Sequence, residues 1–172
     1  MEKEKIGSEN TKLIKIELNK FGDYITVSPD SPAFFDRFVD GYKRITDMAY
    51  EVPAMLEEIT KKYGGKDDFS AVMDKAKEIS AANVDFSQKA VVIIDEIFGA
   101  DTVKKYFRNV YEEIPDFLPD ADCIMDFFDQ MAPVIEKLFG QKIERQQAAR
   151  KARMAKYKPQ DHKKPQRKST TQ

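Results

Sequence analysis

Residues 32–63 read PAFFDRFVDGYKRITDMAYEVPAMLEEITKKY and contain the strongest periodic pattern in the chain. Apolar residues recur there at steps of three and four from Phe35 to Tyr63, over about four heptads. This spacing places them on one face of a helix. Ser31 and Pro32 suit the start of that helix, because serine is a good N-cap and proline fits the first helical position. The stretch predicts a long helix at the centre of a mainly α fold.

The apolar face of this helix, called the seam here, has two interpretations. It packs inside the domain as a core helix, or it stays partly open as a groove or dimer face for a partner. Under the second interpretation, the candidate partner-binding residues are Phe35, Phe38, Tyr42, Ile45, Val52, Leu56 and Ile59. Pro53 removes one helical hydrogen bond, so we expect a kink or break near Val52. Gly64 and Gly65 mark the end of the segment.

The chain before the seam predicts a β-hairpin. Ile14, Ile16 and Leu18 alternate with charged residues, as in a half-buried strand, and Ile25 and Val27 share one face of a second strand. Residues 19–23 supply the turn between them. Because a two-stranded hairpin alone is marginal in water, it must pack on helices or pair its edge with another chain.

Four further apolar patterns predict the remaining helices. They run from Phe69 to Ile79, from Phe86 to Ile97 with Asp85 or Ser87 near the start, from Val103 to Ile114 after Asp101 or Thr102, and from Ile124 to Leu138. Residues 115–120 read as a loop. The predicted fold is mainly α, with a small N-terminal β-hairpin packed on a bundle of about five helices and a basic, partly disordered C-terminal tail.

Charge divides the chain unevenly. Residues 141–172 hold eleven Lys or Arg and two acids, a net charge of +9, and the rest of the chain therefore carries −10. We expect a disordered N-terminus at 1–10, one hairpin-plus-helical domain at 11–140, a basic helical extension at 141–158 and a disordered basic tail at 159–172. Candidate residues for docking a polyanion or a partner are Arg145, Arg150, Lys151, Arg153, Lys156 and Lys158.

The stretch VVIIDE at 91–96 resembles a buried strand of a nucleotide-hydrolysing enzyme, with Asp95 and Glu96 at its end. The chain has no G-x-x-x-x-G-K-[ST] loop to hold the phosphates, so a buried helix with both acids on its solvated side explains the stretch better. With one histidine, His162 in the tail, a Ser-His or Cys-His pair is not expected. Cys123 reads as a small apolar residue. We predict a protein that is not an enzyme and has no catalytic, cofactor or metal site.

Several short motifs, taken in order, resemble a known family. They are LNKFGD at 18–23, IDEIFGADT at 94–102, FF at 127–128 and PVIEK at 133–137, followed by a Lys/Arg-rich end. This order resembles the tail assembly chaperone-like proteins of long-tailed phages and prophages of low-GC Gram-positive bacteria. The resemblance covers residues 11–158.

The resemblance implies a non-enzymatic role in the bacterial host cytoplasm, outside the mature virion. Such chaperones bind the helical tape-measure protein, keep it soluble, and release it as tail-tube subunits add. Self-association would help several copies line one long partner, and no membrane contact is implied. Two alternatives stay open: a small nucleic-acid-associated protein that uses its basic tail, and a helical adaptor or inhibitor of a host protein.

Overall fold

The structure, a computed structural model, describes residues 12–156. Two strands, β1 (Ile14–Glu17) and β2 (Tyr24–Val27), form an antiparallel hairpin in which Ile14 faces Val27 and Ile16 faces Ile25. Five helices follow within the described part of the chain: α1 (Pro32–Lys62), α2 (Phe69–Phe98), α3 (Thr102–Tyr106), α4 (Arg108–Glu113) and α5 (Ala121–Lys156). The predicted fold class is confirmed: the chain is mainly helical, with a small N-terminal hairpin packed on the helices.

The hairpin turn is tied to α3 and α4 by the LNKFGD motif. Asn19 Oδ1 accepts the backbone amide of Phe21 at 2.8 Å, and its Nδ2 donates to the Lys105 carbonyl at 2.6 Å. The Arg108 guanidinium lies 3.1 Å from the Asp23 carboxylate and over the Phe21 ring, 4.9 Å from its centroid. Gly22 has φ +85°, which favours glycine at that turn. The motif therefore positions the hairpin on the helical body.

A kink or break was predicted near Val52, and the break is wrong, because α1 runs through Pro53 as one helix of 31 residues. Pro53 itself is exposed, while Val52 beside it is buried. Apolar packing of α1 against α2 on both sides of the proline compensates for the lost hydrogen bond. The predicted helix start is confirmed at Ser31 and Pro32, although the serine side chain makes no capping bond.

The two helices predicted between Phe69 and Ile97 are one helix, α2, of 30 residues. Its N-cap is Asp68, whose side chain accepts the Ala71 amide at 2.9 Å. Neither glycine nor proline occurs between Phe69 and Phe98, so nothing in the backbone chemistry interrupts the helix at Asp85. Conversely, the single helix predicted after Asp101 is split at Phe107 into α3 and α4.

The final helix is longer than its apolar pattern. α5 covers the predicted helix from Ile124 to Leu138, passes through Pro133, and includes the basic extension as far as Lys156. Strong helix formers continue the helix after the core contacts end. The predicted disordered segments at 1–10 and 159–172 lie outside the described residues.

The core lies between the first half of α1, the second half of α2 and the first half of α5. Its centre is aromatic: Phe98 contacts Phe127 edge-on at 5.7 Å, and Phe34 contacts Phe98 at 6.0 Å between ring centroids. Phe127 and Phe128 are almost completely buried. The inward residues of the hairpin, Ile25 and Val27, join the same cluster. This cluster anchors one end of each long helix, and the other end of each lies outside the cluster.

Candidate functional site

Most of the seam is part of the core. Ile45 is completely buried and Val52 is 8% exposed. Phe38 and Tyr42 pack on Phe128 of α5, with ring centroids 6.4 and 5.3 Å apart. The core interpretation is therefore confirmed for this part of the helix, and Ile45 cannot reach a partner in this conformation.

The two ends of the seam are more accessible. Phe35 is 42% exposed, although its ring lies 4.6 Å from that of Phe139. At the other end, Leu56 and Ile59 are half-buried. Partner binding by this surface stays a prediction; of its seven candidate residues, Ile45 and Val52 are buried and Phe35 is the most exposed.

The second half of α1 and the first half of α2 extend beyond the core as a helical hairpin. We call residues 53–83 the arm. Its two helices are tied near the tip by Glu78, which accepts hydrogen bonds from Lys62 Nζ at 2.6 Å and from the Tyr63 hydroxyl at 2.7 Å. These bonds lower the pKa of Glu78, with that from Lys62 contributing most. The arm is therefore a connected unit although much of its surface is open.

One continuous stripe on α2 changes from exposed to buried along its length. Its members recur at steps of three and four and share one helix face. They are Phe69, Met73, Ala76, Ser80, Val84, Ser87, Val91, Ile94 and Phe98. Phe69 is 81% exposed and Met73 is 43% exposed, whereas Ser87 is 3% exposed and Ile94 is completely buried. The core uses the second half of this α2 stripe and leaves the first half uncovered.

A groove lies where the α2 stripe enters the core. It has a volume of about 820 Å³ and is bounded by α1, α2 and the start of α5. Its lining includes Ala49, Val52, Pro53 and Leu56 of α1, Ala76, Ile79, Ser80, Asn83, Val84 and Ser87 of α2, and Leu118, Asp120, Ala121, Asp122 and Met125. Several lining residues are small, which allows the backbone of a bound helix to approach closely. The groove is the accessible continuation of both the seam and the α2 stripe.

The α5 wall of the groove is acidic. Residues 112–130, called the acidic segment here, contain seven Asp or Glu and no Lys or Arg. Asp120 and Asp122 of this segment line the groove. Both side chains are exposed, so their charges act on whatever enters the groove. The arrangement combines an apolar floor with negative charge on one side.

Cys123 lies beside this wall and is half-buried. Burial raises the pKa of its thiol, and a hydrogen bond with Asp120 raises it further. A raised pKa disfavours the thiolate, which is the nucleophilic form. These surroundings favour the predicted packing role of Cys123 over a nucleophilic one.

The VVIIDE stretch is the buried end of α2, as the helix interpretation predicted. Asp95, expected on the solvated side, is instead half-buried and hydrogen-bonded. Its carboxylate accepts the backbone amides of Asp101 at 3.2 Å and Thr102 at 3.0 Å. It thereby caps α3, since the Asp101 side chain makes no capping bond. Sequence spacing missed this pairing because the acceptor lies in the preceding helix.

The turn between α2 and α3 depends on the same motif. Gly99 has φ +107° and Asp101 has φ +63°, so both adopt left-handed conformations. The Thr102 hydroxyl donates to the Gly99 carbonyl at 2.6 Å and is fully buried. Glu96 is exposed and lies 3.5 Å from Arg44. IDEIFGADT therefore forms a structural turn. Asp95 accepts backbone amides in it, and Glu96 pairs with Arg44 on the surface.

The basic candidates up to Lys156 lie in the last turns of α5. Arg145 and Lys151 are exposed. Arg150, Arg153 and Lys156 belong to the helix, but their side chains are outside the described part, as is all of Lys158. Polyanion or partner docking by these residues stays a prediction.

Among residues 12–156, no three His, Cys, Asp or Glu side chains are grouped so that they could share a metal ion. No helix in that range has the length and apolar character needed to cross a membrane. Compared with known protein families, curated proteins and solved structures, the chain has no match.

Proposed function

We propose that this protein is a non-enzymatic phage tail assembly chaperone that acts in the bacterial host cytoplasm. Its partner is the tape-measure protein, and an amphipathic helix of that protein lies along the arm. The observation that carries this proposal is the α2 stripe, which is buried from Ser87 to Phe98 and uncovered from Phe69 to Val84. A helix with an unpaired apolar stripe is a site where another helix can bury its own.

The arm offers such a partner a long apolar contact. From Phe69 to Val84 the stripe covers 15 residue steps, or about 22 Å at 1.5 Å per residue. Met55, Met73 and Val72 on the arm are each more than 40% exposed. Methionine side chains adapt to different apolar surfaces, which suits a chaperone that binds many segments of one long protein.

Two further observations support the proposal. The motifs LNKFGD and IDEIFGADT, on which the family resemblance rests, form the two turns that hold the hairpin and α3 on the body. They therefore belong to the scaffold, so sharing them favours a shared fold. In addition, the charged residues that line the groove, Asp120 and Asp122, are exposed acids suited to flanking a bound helix.

Co-expression with the tape-measure protein of the same genome tests the proposal. We expect the tape-measure protein to be soluble with this chain and insoluble without it. The double variant Phe69→Ser with Met73→Ser should stay folded, because both side chains are already exposed, and should lose the soluble complex. Val39→Ser is the matched control, since Val39 is 49% exposed on α1 but lies before the arm.

An insoluble tape-measure protein in the presence of folded parent chain would overturn the chaperone proposal. A soluble complex that survives the Phe69/Met73 double variant would instead show that the arm is not its binding surface. Circular dichroism of each purified variant separates loss of binding from loss of folding. Salt-sensitive DNA binding that requires residues 141–172 would favour the nucleic-acid alternative.

A further inference from the structure

We infer that the groove also binds the basic helical extension of a second copy of this chain. The extension comprises residues 141–156, the end of α5. This contact would close the groove when no partner helix is present. The inference does not require the proposed function, because the protein alone should show it.

The first support is charge complementarity within one chain. The acidic segment at 112–130 carries −7, whereas residues 141–156 hold six Lys or Arg and one Glu, or +5. Both lie on or next to α5, at opposite ends of the helix. Within one copy the last acid of the segment, Asp129, and the first base of the extension, Lys142, are 13 residues or about 20 Å apart along one helix, and between two copies the two charged regions can meet. Complementary fields of this kind steer association and set its orientation.

The second support is the surface of the extension. Every described side chain from Gln141 to Ala155 is exposed, although the first turns of the extension, at Gln141, Arg145 and Ala149, line a cavity with residues of the hairpin region. Ala148, Ala152 and Ala155 are spaced by four and three and form one small-residue face. A helix with such a face can approach the small residues of the groove, such as Ala76 and Ser80, at the short distances of close helix packing.

The groove is long enough to hold the alanine face of the extension. On α2 the groove runs from Ala76 to Ser87, about 16 Å along the helix axis, which is about three helical turns. The alanine face spans about two turns. Lys151 and Arg145 flank this face and would lie near the acidic wall formed by Asp120 and Asp122.

The occupant must come from another molecule. α5 is one continuous helix from Ala121, at the groove, to Lys156. Gln141 is 20 residues beyond Ala121, or about 30 Å along the axis. A continuous helix cannot bring its last turns back to its own start. The extension therefore reaches the groove of a second copy only.

Light scattering of the purified full chain at low and high salt tests this inference. We expect a mass above 19.8 kDa at low salt that falls toward 19.8 kDa at about 1 M salt, where charges are screened beyond about 3 Å. Two charge-reversed proteins, one with Asp120→Lys and Asp122→Lys, the other with Arg145→Glu and Lys151→Glu, should each self-associate at least about tenfold more weakly. Glu113→Lys is the control, because Glu113 belongs to the acidic segment but does not line the groove.

Mixing the two charge-reversed proteins provides the decisive comparison. In the mixture the unchanged groove of one protein meets the unchanged extension of the other, and the reversed side chains at 120 and 122 face reversed side chains at 145 and 151 of opposite sign, so association should return to within a few-fold of the parent. Misfolded variants would not recover on mixing, which separates the contact from a loss of folding. A parent that is monomeric at low salt, variants that associate like the parent, or a mixture that stays monomeric would each overturn the inference.

Discussion

The carboxylate of Asp95, in the last turn of α2, accepts the backbone amide of Thr102 at 3.0 Å, and it also accepts the amide of Asp101. One side chain thus joins the end of a long helix to the start of a short one. The bonds satisfy amides at the first turn of α3 that have no partner within their own helix. In a different fold the same Asp could have held a metal ion, but here it shapes a turn.

Replacing Asp95 should therefore cost stability. We expect Asp95→Ala to lower the free energy of unfolding by about 1 kcal/mol, within a range of about 0.5–2 kcal/mol for lost helix caps. Asp95→Asn keeps an acceptor oxygen and should recover part of the loss. Urea denaturation followed by circular dichroism measures both. Glu96→Ala is the control and should change stability by less than about 0.5 kcal/mol, because Glu96 is exposed. Equal effects of Asp95→Ala and Glu96→Ala would contradict the capping role.

Two glycines in long helices should respond in opposite ways to alanine. A Cβ on Gly41 would collide with the Ile97 side chain, reaching its Cγ1 at 2.9 Å and Ile93 Cγ2 at 3.1 Å. We expect Gly41→Ala to destabilise the protein by about 1–3 kcal/mol through overpacking, offset in part by its better helix propensity.

Gly140 in α5 is the matched position, since nothing lies within 4 Å of its added Cβ. Gly140→Ala should stabilise by up to about 1 kcal/mol through helix propensity alone. Thermal and urea unfolding of the two variants give the comparison. If Gly41→Ala were as stabilising as Gly140→Ala, the close packing of α1 on α2 would be wrong.

Acid should loosen the hairpin turn. The Asn19 hydrogen bond, and then that of Arg108, hold the pKa of Asp23 below its ordinary value of 3.8. A lowered pKa means that the ionised carboxylate stabilises the fold at pH values above the ordinary one. That contribution is lost as the pH falls through the pKa of the folded state.

Amide chemical shifts of Leu18 and Lys105, followed by NMR as the pH is lowered below about 4, report this change. Asp23→Asn should remove the pH-dependent change in these chemical shifts. Glu17→Gln, an exposed substitution on the same hairpin, should leave that change in place. A change that persists in Asp23→Asn would mean that another acid controls the turn.

The two halves of α2 should differ in stability. Amides in the arm, around residues 72–80, should exchange with deuterium at least about tenfold faster than those at 88–97, because only the second half packs in the core. Glu78→Gln removes the charge of the acceptor shared by Lys62 and Tyr63 and should speed exchange in the arm alone. Hydrogen exchange with mass spectrometry of peptides measures both. Uniform protection along α2 would mean that the arm is as rigid as the core.

Local patterns predicted much of this fold. Alternation at Ile14, Ile16, Ile25 and Val27 identified both strands and their inward faces, because a strand has a period of two. Apolar residues at steps of three and four identified α1 and α5, because a helix has a period of about 3.6 residues. The break considered near Val52 and the helix start near Asp85 were wrong, because both were judged from local preference. Packing along the whole length of α1 and α2 outweighs one missing hydrogen bond.

The candidate site was predictable only in part. Sequence spacing identifies an apolar stripe, but the spacing is the same in the buried half of the stripe and in the exposed half. Phe69 and Phe98 belong to one α2 stripe, yet one is 81% exposed and the other 6%. The groove and the role of Asp95 both depend on residues from separate helices.

The sequence by itself determined which stretches are helical, the hairpin, the acidic body and the basic extension, because these follow from periodicity and charge along the chain, but it did not determine where one helix ends and the next begins. Only the tertiary structure decided which apolar faces are buried in the core. That decision depends on where α5 starts, since Ala121 and Met125 line the groove together with Ser87, and the stripe becomes exposed from Val84 toward Phe69. Burial is a property of neighbours in space, and no pattern within one helix contains it.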